Sequence, residues 1–232
     1  MNKPSITVYQ IDLSAAARHA AAADALLSTG ERNRADRFKV PGKREQFSVS
    51  RACLRLLLGQ LCGCAPQELV FHSNGRGKPH LADSHWHFNL SHSGDCLLLA
   101  CSPHMPIGVD VEHLDVRVDI QGLSRRFFAS DEYQAIMLHQ PRERIRAFFT
   151  CWTGKEAFLK CLGTGIDRAL DTIVIGQLED LNVPVRKVHG FGTVHDERIH
   201  SLNAPAHHLA SLAVASTTPV ITCQRPELAD LL

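Results

Sequence analysis

Hydrophobic positions along the chain follow two spacings in succession. The segment SITVYQIDL (5–13) alternates as a strand does. From about Gln46 to Leu61, leucines and small residues recur at helical spacing until Gly63, a residue type that commonly ends helices. Short β-like segments separated by glycine turns follow: ELVFH, HFNLSH, CLLLACS and IGVDVE. This part of the chain is therefore predicted to form a long helix followed by a sheet.

The second half repeats this order. A short helical segment with Ser130 as its predicted N-cap precedes PRERIRAFFTCWTGKEAFLKCLG (141–163), a strong helical pattern with proline first and glycine last. β-like segments follow again: DTIVIGQL, VRKVHGFGTVH, ERIHSLN and HLASLAVAS. The last of these resembles CLLLACS in size and polarity. We therefore predict two similar α/β halves that join near residues 113–120.

Two acidic side chains interrupt the apolar segment IGVDVE. Asp110 and Glu112 are two residues apart, so a strand places both on one face while Val109 and Val111 point to the other. Like charges side by side repel each other unless a cation or a basic group lies between them. The alternative is two solvated side chains on the wet face of an edge strand.

A third carboxylate lies on the apolar stripe of the predicted helix 141–163. Glu156 follows Trp152 by one turn on the same ridge. An ion pair with Lys160 would give it a partner, but an exposed pair contributes only about 0.3–0.5 kcal/mol. Since the strand offers two further unexplained acids, three converging carboxylates would suit a hard divalent cation such as Mg²⁺, which prefers oxygen ligands and often retains substrate phosphates.

Residues that could hold phosphates occur in two segments. The glycine turn GRGKP (75–79) carries Arg76 and Lys78 where backbone can approach an anion closely. It lacks the P-loop pattern, and a hairpin turn with solvated charges is the alternative. NLSHSGD places Ser91 and His92 at a strand end. A Ser-His nucleophile pair would need a third orienting group and a G-x-S-x-G elbow that the chain lacks, so anion binding is the better role.

Size and charge exclude several classes of function. With 232 residues, 44% of them hydrophobic, the chain can bury a full core. Its 25 Lys and Arg nearly balance 24 Asp and Glu, so no overall field attracts nucleic acid or an anionic membrane. No apolar run approaches the roughly 20 residues that span a bilayer. We expect a cytoplasmic protein that binds neither nucleic acid nor membrane.

Cysteine and histidine patterns offer weaker signals. The eight cysteines lie mostly in apolar runs without a C-x-x-C pair, which favours buried, reduced thiols. Cys62 and Cys64 could form a redox pair or half of a metal site, but no second pair completes a tetrahedral set. In SHWHFNLSH, the three histidines are more typical of surface or hydrogen-bonded side chains than of zinc ligands.

Five segments, taken in order, resemble the Sfp-type 4'-phosphopantetheinyl transferases: GKP (77–79), FNLSHSGD (88–95), IGVDVE (107–112), RRFF (125–128) and WTGKEAFLKCLGTGI (152–166). The likeness runs from about Glu31 to Leu170. Its specificity comes from combining G-[VI]-D-[VI]-E with W-x-x-K-E-[AS]-x-x-K. It implies an α+β fold, a pseudo-dimer of two similar subdomains, each with a long helix on a small, mostly antiparallel sheet. The active site would lie at their junction.

The resemblance also implies a role for each half of the chain and a reaction. Residues 1–115 would form the nucleotide- and metal-binding half, and residues 116–232 the half with the catalytic helix and the carrier contact. The expected activity is Mg²⁺-dependent transfer of the 4'-phosphopantetheine group of coenzyme A to a serine of an apo acyl or peptidyl carrier protein. The expected by-product is 3',5'-ADP, and Mn²⁺ is an alternative metal.

Individual roles follow from the same resemblance. Asp110, Glu112 and Glu156 would bind the metal, and Glu156 is the favoured base, either directly or through a metal-bound water. Lys160 would act at the pyrophosphate and favour departure of 3',5'-ADP. The expected contacts to coenzyme A are Arg34, Arg76, Gly77, Lys78, Pro79, Ser91, His92, Lys155 and Lys160, with Arg51 as a further candidate.

The carrier would dock on LSRRFFASDEY, where Arg125 and Arg126 could meet an acidic carrier helix. The alternative is that Phe127 and Phe128 are core residues and the arginines are solvated. The carrier could serve fatty acid, polyketide or non-ribosomal peptide synthesis. A monomer is expected because the two halves already supply the junction. Two rival functions stay open: a Mg²⁺-dependent nucleotide phosphohydrolase without a protein acceptor, and a module that binds coenzyme A without transferring it.

Overall fold

The computed structural model describes residues 4–115, 117–165, 170–190, 193–215 and 218–232. Four parts of predicted segments lie outside these ranges: Val116 within the predicted join, Ile166, residues 191–192 and Ser216. The helices are α1 (Ala16–Leu26), α2 (Thr29–Ala35), α3 (Lys43–Cys62), α4 (Ile120–Phe127), α5 (Ser130–Leu138), α6 (Pro141–Leu162) and α7 (Leu228–Leu231). None of the described helices combines the length and apolar character needed to cross a membrane.

The strands are β1 (Ser5–Asp12), β2 (Phe71–Ser73), β3 (Pro79–Leu81), β4 (His87–Ser93), β5 (Cys96–Ser102), β6 (Ile107–His113), β7 (Ile173–Ile175), β8 (Val185–Gly190), β9 (Thr193–Leu202), β10 (His208–Val214) and β11 (Val220–Gln224). The first sheet has the order β11-β1-β5-β4, and the second has the order β6-β10-β9-β8-β7. β2 and β3 form a separate hairpin.

Antiparallel pairing dominates both sheets, and only β1 and β11 pair in parallel among the described strands. The predicted α+β fold with mostly antiparallel sheets is therefore confirmed. Each sheet also receives a strand from a distant part of the chain, because β6 joins β10 and β11 joins β1. Sheet membership thus does not follow the division into residues 1–115 and 116–232, which stays a prediction.

The two long helices lie on the outer faces of the sheets, and the inner faces pack together. α3 buries Val49, Cys53 and Leu57 against the first sheet. α6 buries Phe148 and Phe158 against the second sheet. Between the sheets, side chains from both inner faces form a third core, including Ile6, Val8, Leu98, Val109, Val111 and Leu212. Each fully buried side chain of this kind contributes about 1.5–3 kcal/mol. One long helix on each sheet agrees with a pseudo-dimer.

The ends of the long helices follow the sequence signals. α6 starts with Pro141, and Gly163 follows it in the left-handed conformation at φ +68°. α3 ends before Gly63, also at φ +68°, but begins at Lys43, three residues earlier than predicted. The N-cap of α5 is Ala129 rather than Ser130, because the Glu132 carboxylate accepts from the backbone N–H of Ala129 at 3.0 Å.

Gly108 allows β6 to lie directly against α6. A Cβ atom at this position would stand 2.0 Å from the carbonyl oxygen of Ala157 and 2.3 Å from the backbone nitrogen of Cys161. No side chain fits at those distances. The strand that carries the paired acids is therefore held in contact with the helix that carries Glu156 and Lys160.

Candidate active site

The two sheets meet where β4 and β6, each an edge strand of its own sheet, lie side by side; this region is called the junction below. Three alternate side chains of β4 point at β6: Asn89, Ser91 and Ser93. The Oδ1 atom of Asn89 accepts a hydrogen bond from the backbone N–H of Val109 at 2.8 Å. Ser91 donates to Asp110 and Ser93 donates to Glu112, both at 2.7 Å. Hydroxyls of the first sheet thus orient both acids of the second.

Lys160 reaches the same point from α6. Its Nζ atom lies 2.6 Å from Asp110 Oδ1 and 3.0 Å from Ser91 Oγ. The ion pair considered from the sequence, between Lys160 and Glu156, is therefore replaced by one with Asp110. The other oxygen of Asp110, Oδ2, is buried and has no hydrogen-bond partner among the described residues. Asp110 is 3% exposed and Glu156 is 6% exposed.

The three acids are close enough to affect one another's ionisation. Burial raises the pKa of Glu156 to about 7, assisted by the charges of Asp110 and Glu112 and opposed by Lys160. Burial also raises the pKa of Glu112, against the hydrogen bond from Ser93. The pKa of Asp110 is raised because its burial outweighs the nearby Lys160 ammonium. One ammonium group therefore faces three carboxylates, and the cluster is short of positive charge.

This donor set fits a hard divalent cation in its chemistry. Carboxylate oxygens are what Mg²⁺ and Mn²⁺ prefer, and Asp110 offers a buried oxygen without a partner. As the side chains are placed, no three or more His, Cys, Asp or Glu residues in the described part of the chain are arranged to hold a metal ion. Lys160 meanwhile occupies one oxygen of Asp110. The metal-binding roles of Asp110, Glu112 and Glu156 stay a prediction.

A cavity of about 310 Å³ opens next to Lys160, between the glycine turn and the end of α6. Its lining residues are Arg76, Gly77, Lys78, Pro79, Asn89, Leu90, Leu159, Lys160, Gly163 and Gly165. The structure thus brings the whole predicted G-K-P motif, Arg76 and Lys160 together. Basic groups beside leucine side chains suit a ligand that has both anionic and apolar parts.

Ser91 and His92 point in different directions, as expected for neighbours on a strand. Ser91 is buried at the junction, whereas His92 is exposed. The pKa of His92 is lowered by desolvation and then by the charges of Lys43 and Lys160. Lys43, the first residue of α3, is therefore a basic residue near the site that the sequence reasoning missed. Its signal was a lysine at the start of a long helix within a basic segment.

Five predicted coenzyme A contacts do not line this cavity: Ser91, His92, Lys155, Arg34 and Arg51. Lys155 is 1% exposed, and its ammonium donates to the Glu132 carboxylate and, at 2.8 Å, to the carbonyl of Leu170. Because this ammonium is already paired inside the second core, the structure gives no support to the contact predicted between Lys155 and coenzyme A. Arg34 is exposed on α2 and lies over the Phe47 ring.

Arg51 pairs with side chains of the first half of the chain. The Arg51 guanidinium lies 2.6 Å from the Glu31 carboxylate and stacks on the Phe71 ring. The same carboxylate pairs with Arg55 at 2.7 Å. The pKa of Glu31 is lowered despite its burial, because both arginines and the backbone N–H of Ser28 favour its charged form. This buried cluster ties α2 to α3, so Arg51 has a structural partner in place of a phosphate.

The predicted docking segment divides between core and surface. Phe128 is buried in the second core, as the alternative interpretation held, and Phe127 packs edge-on against Trp152. Arg125 and Arg126 are exposed, and they lie over the rings of Tyr133 and Phe127 respectively.

The remaining metal and redox candidates are spread over the surface and core. All eight cysteines are free thiols, and five of them are buried, as the sequence predicted. Cys62 and Cys64 are half-buried at the end of α3. Burial raises the pKa of Cys53 to about 12, so this thiol stays protonated at neutral pH.

Comparison with known proteins gives consistent matches along the chain. The family model of the 4'-phosphopantetheinyl transferase N-terminal region matches residues 14–104. The family model of the 4'-phosphopantetheinyl transferase superfamily matches residues 106–215. The chain is 40% identical over 146 residues to the 4'-phosphopantetheinyl transferase HetI of Nostoc sp., covering 61% of this chain and 62% of that protein. It therefore spans less than two thirds of this relative's length.

Two Bacillus relatives are covered more fully. The 4'-phosphopantetheinyl transferase psf-1 of Bacillus pumilus is 33% identical over 162 residues, which cover 69% of this chain and 68% of the relative. The 4'-phosphopantetheinyl transferase Sfp of Bacillus subtilis is 30% identical over 176 residues, which cover 70% and 77%. Both parts of the chain that meet at the junction thus match the same family.

Proposed function

The chain belongs to the 4'-phosphopantetheinyl transferase superfamily, and on that premise we propose that it transfers the 4'-phosphopantetheine group of coenzyme A to a serine of an apo carrier protein. The observation that carries this proposal is the junction, where the charges of Asp110, Glu112 and Glu156 act on one another and on Lys160, which also lines the cavity of the glycine turn. Carboxylates grouped around a lysine that also lines a cavity with basic residues suit phosphoryl-type transfer.

The residues of the chain divide the work of binding. Arg76 and the backbone of the glycine turn would meet the nucleotide and its phosphates. At the end of β4, Lys43 would add positive charge, and His92, whose lowered pKa keeps its ring neutral at neutral pH, would donate a hydrogen bond. Asp110, Glu112 and Glu156 would hold Mg²⁺ or Mn²⁺. When bound, the metal would neutralise negative charge that develops on the pyrophosphate.

In the transfer step, the carrier serine oxygen forms a bond to the β-phosphorus of coenzyme A, and the bond from that phosphorus to the bridging oxygen breaks. The electron pair leaves with 3',5'-ADP. Lys160 stabilises the leaving oxygen by its positive charge. Glu156 accepts the serine proton, either directly or through a metal-bound water.

The carrier docks on α4, in this proposal, through Arg125 and Arg126, whose exposed charges complement an acidic carrier helix. Reversing both charges to glutamate should raise the KM for the carrier about tenfold and leave the KM for coenzyme A unchanged. Lys187→Glu, on an exposed position of β8, is the matched control. An unchanged carrier KM in the double variant would exclude α4 as the docking site.

The proposal is tested by the intact mass of a carrier after incubation with coenzyme A, Mg²⁺ and this protein. Wild-type protein should add one phosphopantetheine mass to an apo carrier from fatty acid, polyketide or non-ribosomal peptide synthesis. Asp110→Ala and Glu156→Ala should abolish the gain, and so should a carrier whose acceptor serine is alanine. No gain on any of the three carrier types would reject the proposal.

We further propose that the protein acts as a cytoplasmic monomer, since one chain supplies both sides of the junction.

A further inference from the structure

The glycine turn is attached to the end of α6 by two side chains. Lys78 Nζ donates to the carbonyl of Ile107, at the start of β6, and to the carbonyl of Cys161, each at 3.0 Å. Asn74, which precedes the turn, donates from Nδ2 to the carbonyl of Gly163, also at 3.0 Å. The last carbonyls of a helix have no partner within it, so these donors from the first half cap the helix of the second.

Asn74 also sets the shape of the turn. Its Oδ1 atom accepts from the backbone N–H groups of Arg76, at 3.0 Å, and Lys78, at 2.9 Å. Its own backbone closes the turn with Gly77 and Lys78. A Cβ atom at Gly163 would stand 2.9 Å from Asn74 Nδ2, so the turn and the helix end are in close contact. One amide side chain therefore both shapes the turn and binds it to α6.

The Lys78 ammonium makes its hydrogen bonds within this contact between the turn and α6. Burial lowers the pKa of its ammonium, and in the described residues it has no carboxylate within ion-pair distance. Its hydrogen-bond partners are two backbone carbonyls, one of which belongs to the negative end of the α6 dipole. An ammonium with two of its three protons engaged this way is poorly placed to act as a free phosphate ligand.

We propose that Lys78 and Asn74 are positioning residues that lock the glycine turn onto the end of α6 and so fix the cavity between Arg76 and Lys160. This inference rests on the proposed function, and it replaces the phosphate contact expected for Lys78. One wall of the cavity comes from the glycine turn and β4, the other comes from the end of α6, and the bonds of Lys78 and Asn74 join the turn to the helix end. A small displacement of either wall would misalign the bound pyrophosphate.

The test measures backbone hydrogen exchange in the protein without coenzyme A, because a phosphate ligand has no contact to lose in that state. Lys78→Met removes both bonds to carbonyls. Asn74→Asp keeps the oxygen that shapes the turn and removes the donor to Gly163. Both variants should speed exchange of amides in the last turn of α6 at least tenfold. Lys187→Met, which removes an exposed lysine of β8, should leave that exchange unchanged.

Kinetics separate positioning from a general loss of structure. In both variants kcat/KM for coenzyme A should fall about tenfold to a hundredfold while the KM for the carrier stays unchanged. If Lys78→Met instead leaves exchange of the free protein unchanged and only weakens coenzyme A binding, Lys78 is a ligand and the proposal is wrong. A chain that proves inactive on every carrier would overturn the proposed function, whereas the exchange measurement would still decide whether the lock exists.

Discussion

Glu156→Gln should stabilise the metal-free protein at alkaline pH while it stops transfer. The pKa of Glu156 is about 7 in the folded protein against an ordinary value of 4.5, because burial and the charges of Asp110 and Glu112 outweigh Lys160. The folded protein therefore binds more protons than the unfolded chain between these two values, and stability falls as the pH rises through them. At about 1.4 kcal/mol per pH unit, the difference corresponds to roughly 3 kcal/mol above pH 7.

The assay is urea unfolding in EDTA at pH 8 and pH 5, with Glu179→Gln as an exposed control. Removing the carboxylate charge should raise the free energy of unfolding by about 2–3 kcal/mol at pH 8, or roughly 5–10 °C in Tm. The gain should shrink below about 1 kcal/mol at pH 5, where the wild-type carboxyl is already protonated. A Glu156→Gln variant that is no more stable than wild type at pH 8 would refute this electrostatic account.

Three further substitutions test the supports of the site. Asp110→Asn should lower transfer at least a hundredfold in a coupled kinetic assay; near-wild-type rates would remove Asp110 from the reaction. Gly108→Ala should cost about 1–3 kcal/mol or more in urea unfolding, because its Cβ would meet a backbone carbonyl of α6 at 2.0 Å, and an unchanged midpoint would contradict that packing. Glu132→Gln should cost about 3–5 kcal/mol by stranding the buried Lys155 ammonium, and the double variant with Lys155→Met should recover part of that loss. A double variant as unstable as the sum of the two single ones would contradict direct pairing.

Local periodicity predicted the parts of the site that depend on one element. Strand alternation correctly put Asp110 and Glu112 on one face, where both accept from serines of β4, and Val109 and Val111 on the other, which packs in the core between the sheets. Helical spacing put Glu156 on a buried face, and proline and glycine marked both ends of α6. These features follow from backbone geometry within a few residues, which is why the sequence alone could supply them.

Pairing between distant segments could not be predicted in the same way. Lys155 precedes Glu156 by one residue, so the helix turns it by about 100° into the second core, where Glu132 from α5 receives it. No spacing rule indicated that partner, and the family resemblance favoured coenzyme A. Lys160 likewise pairs with Asp110, fifty residues away, and the exchange of β6 and β11 between sheets depends on equally distant contacts.

The stoichiometry of the products tests the central claim most directly. Coenzyme A, Mg²⁺ and an accepted apo carrier are incubated with the protein, and 3',5'-ADP is quantified by chromatography beside holo carrier by intact mass. The account predicts one 3',5'-ADP for each phosphopantetheine attached, and no release when the carrier is left out or its serine is alanine. Nucleotide released from coenzyme A without an acceptor would instead identify a phosphohydrolase and contradict the transferase assignment.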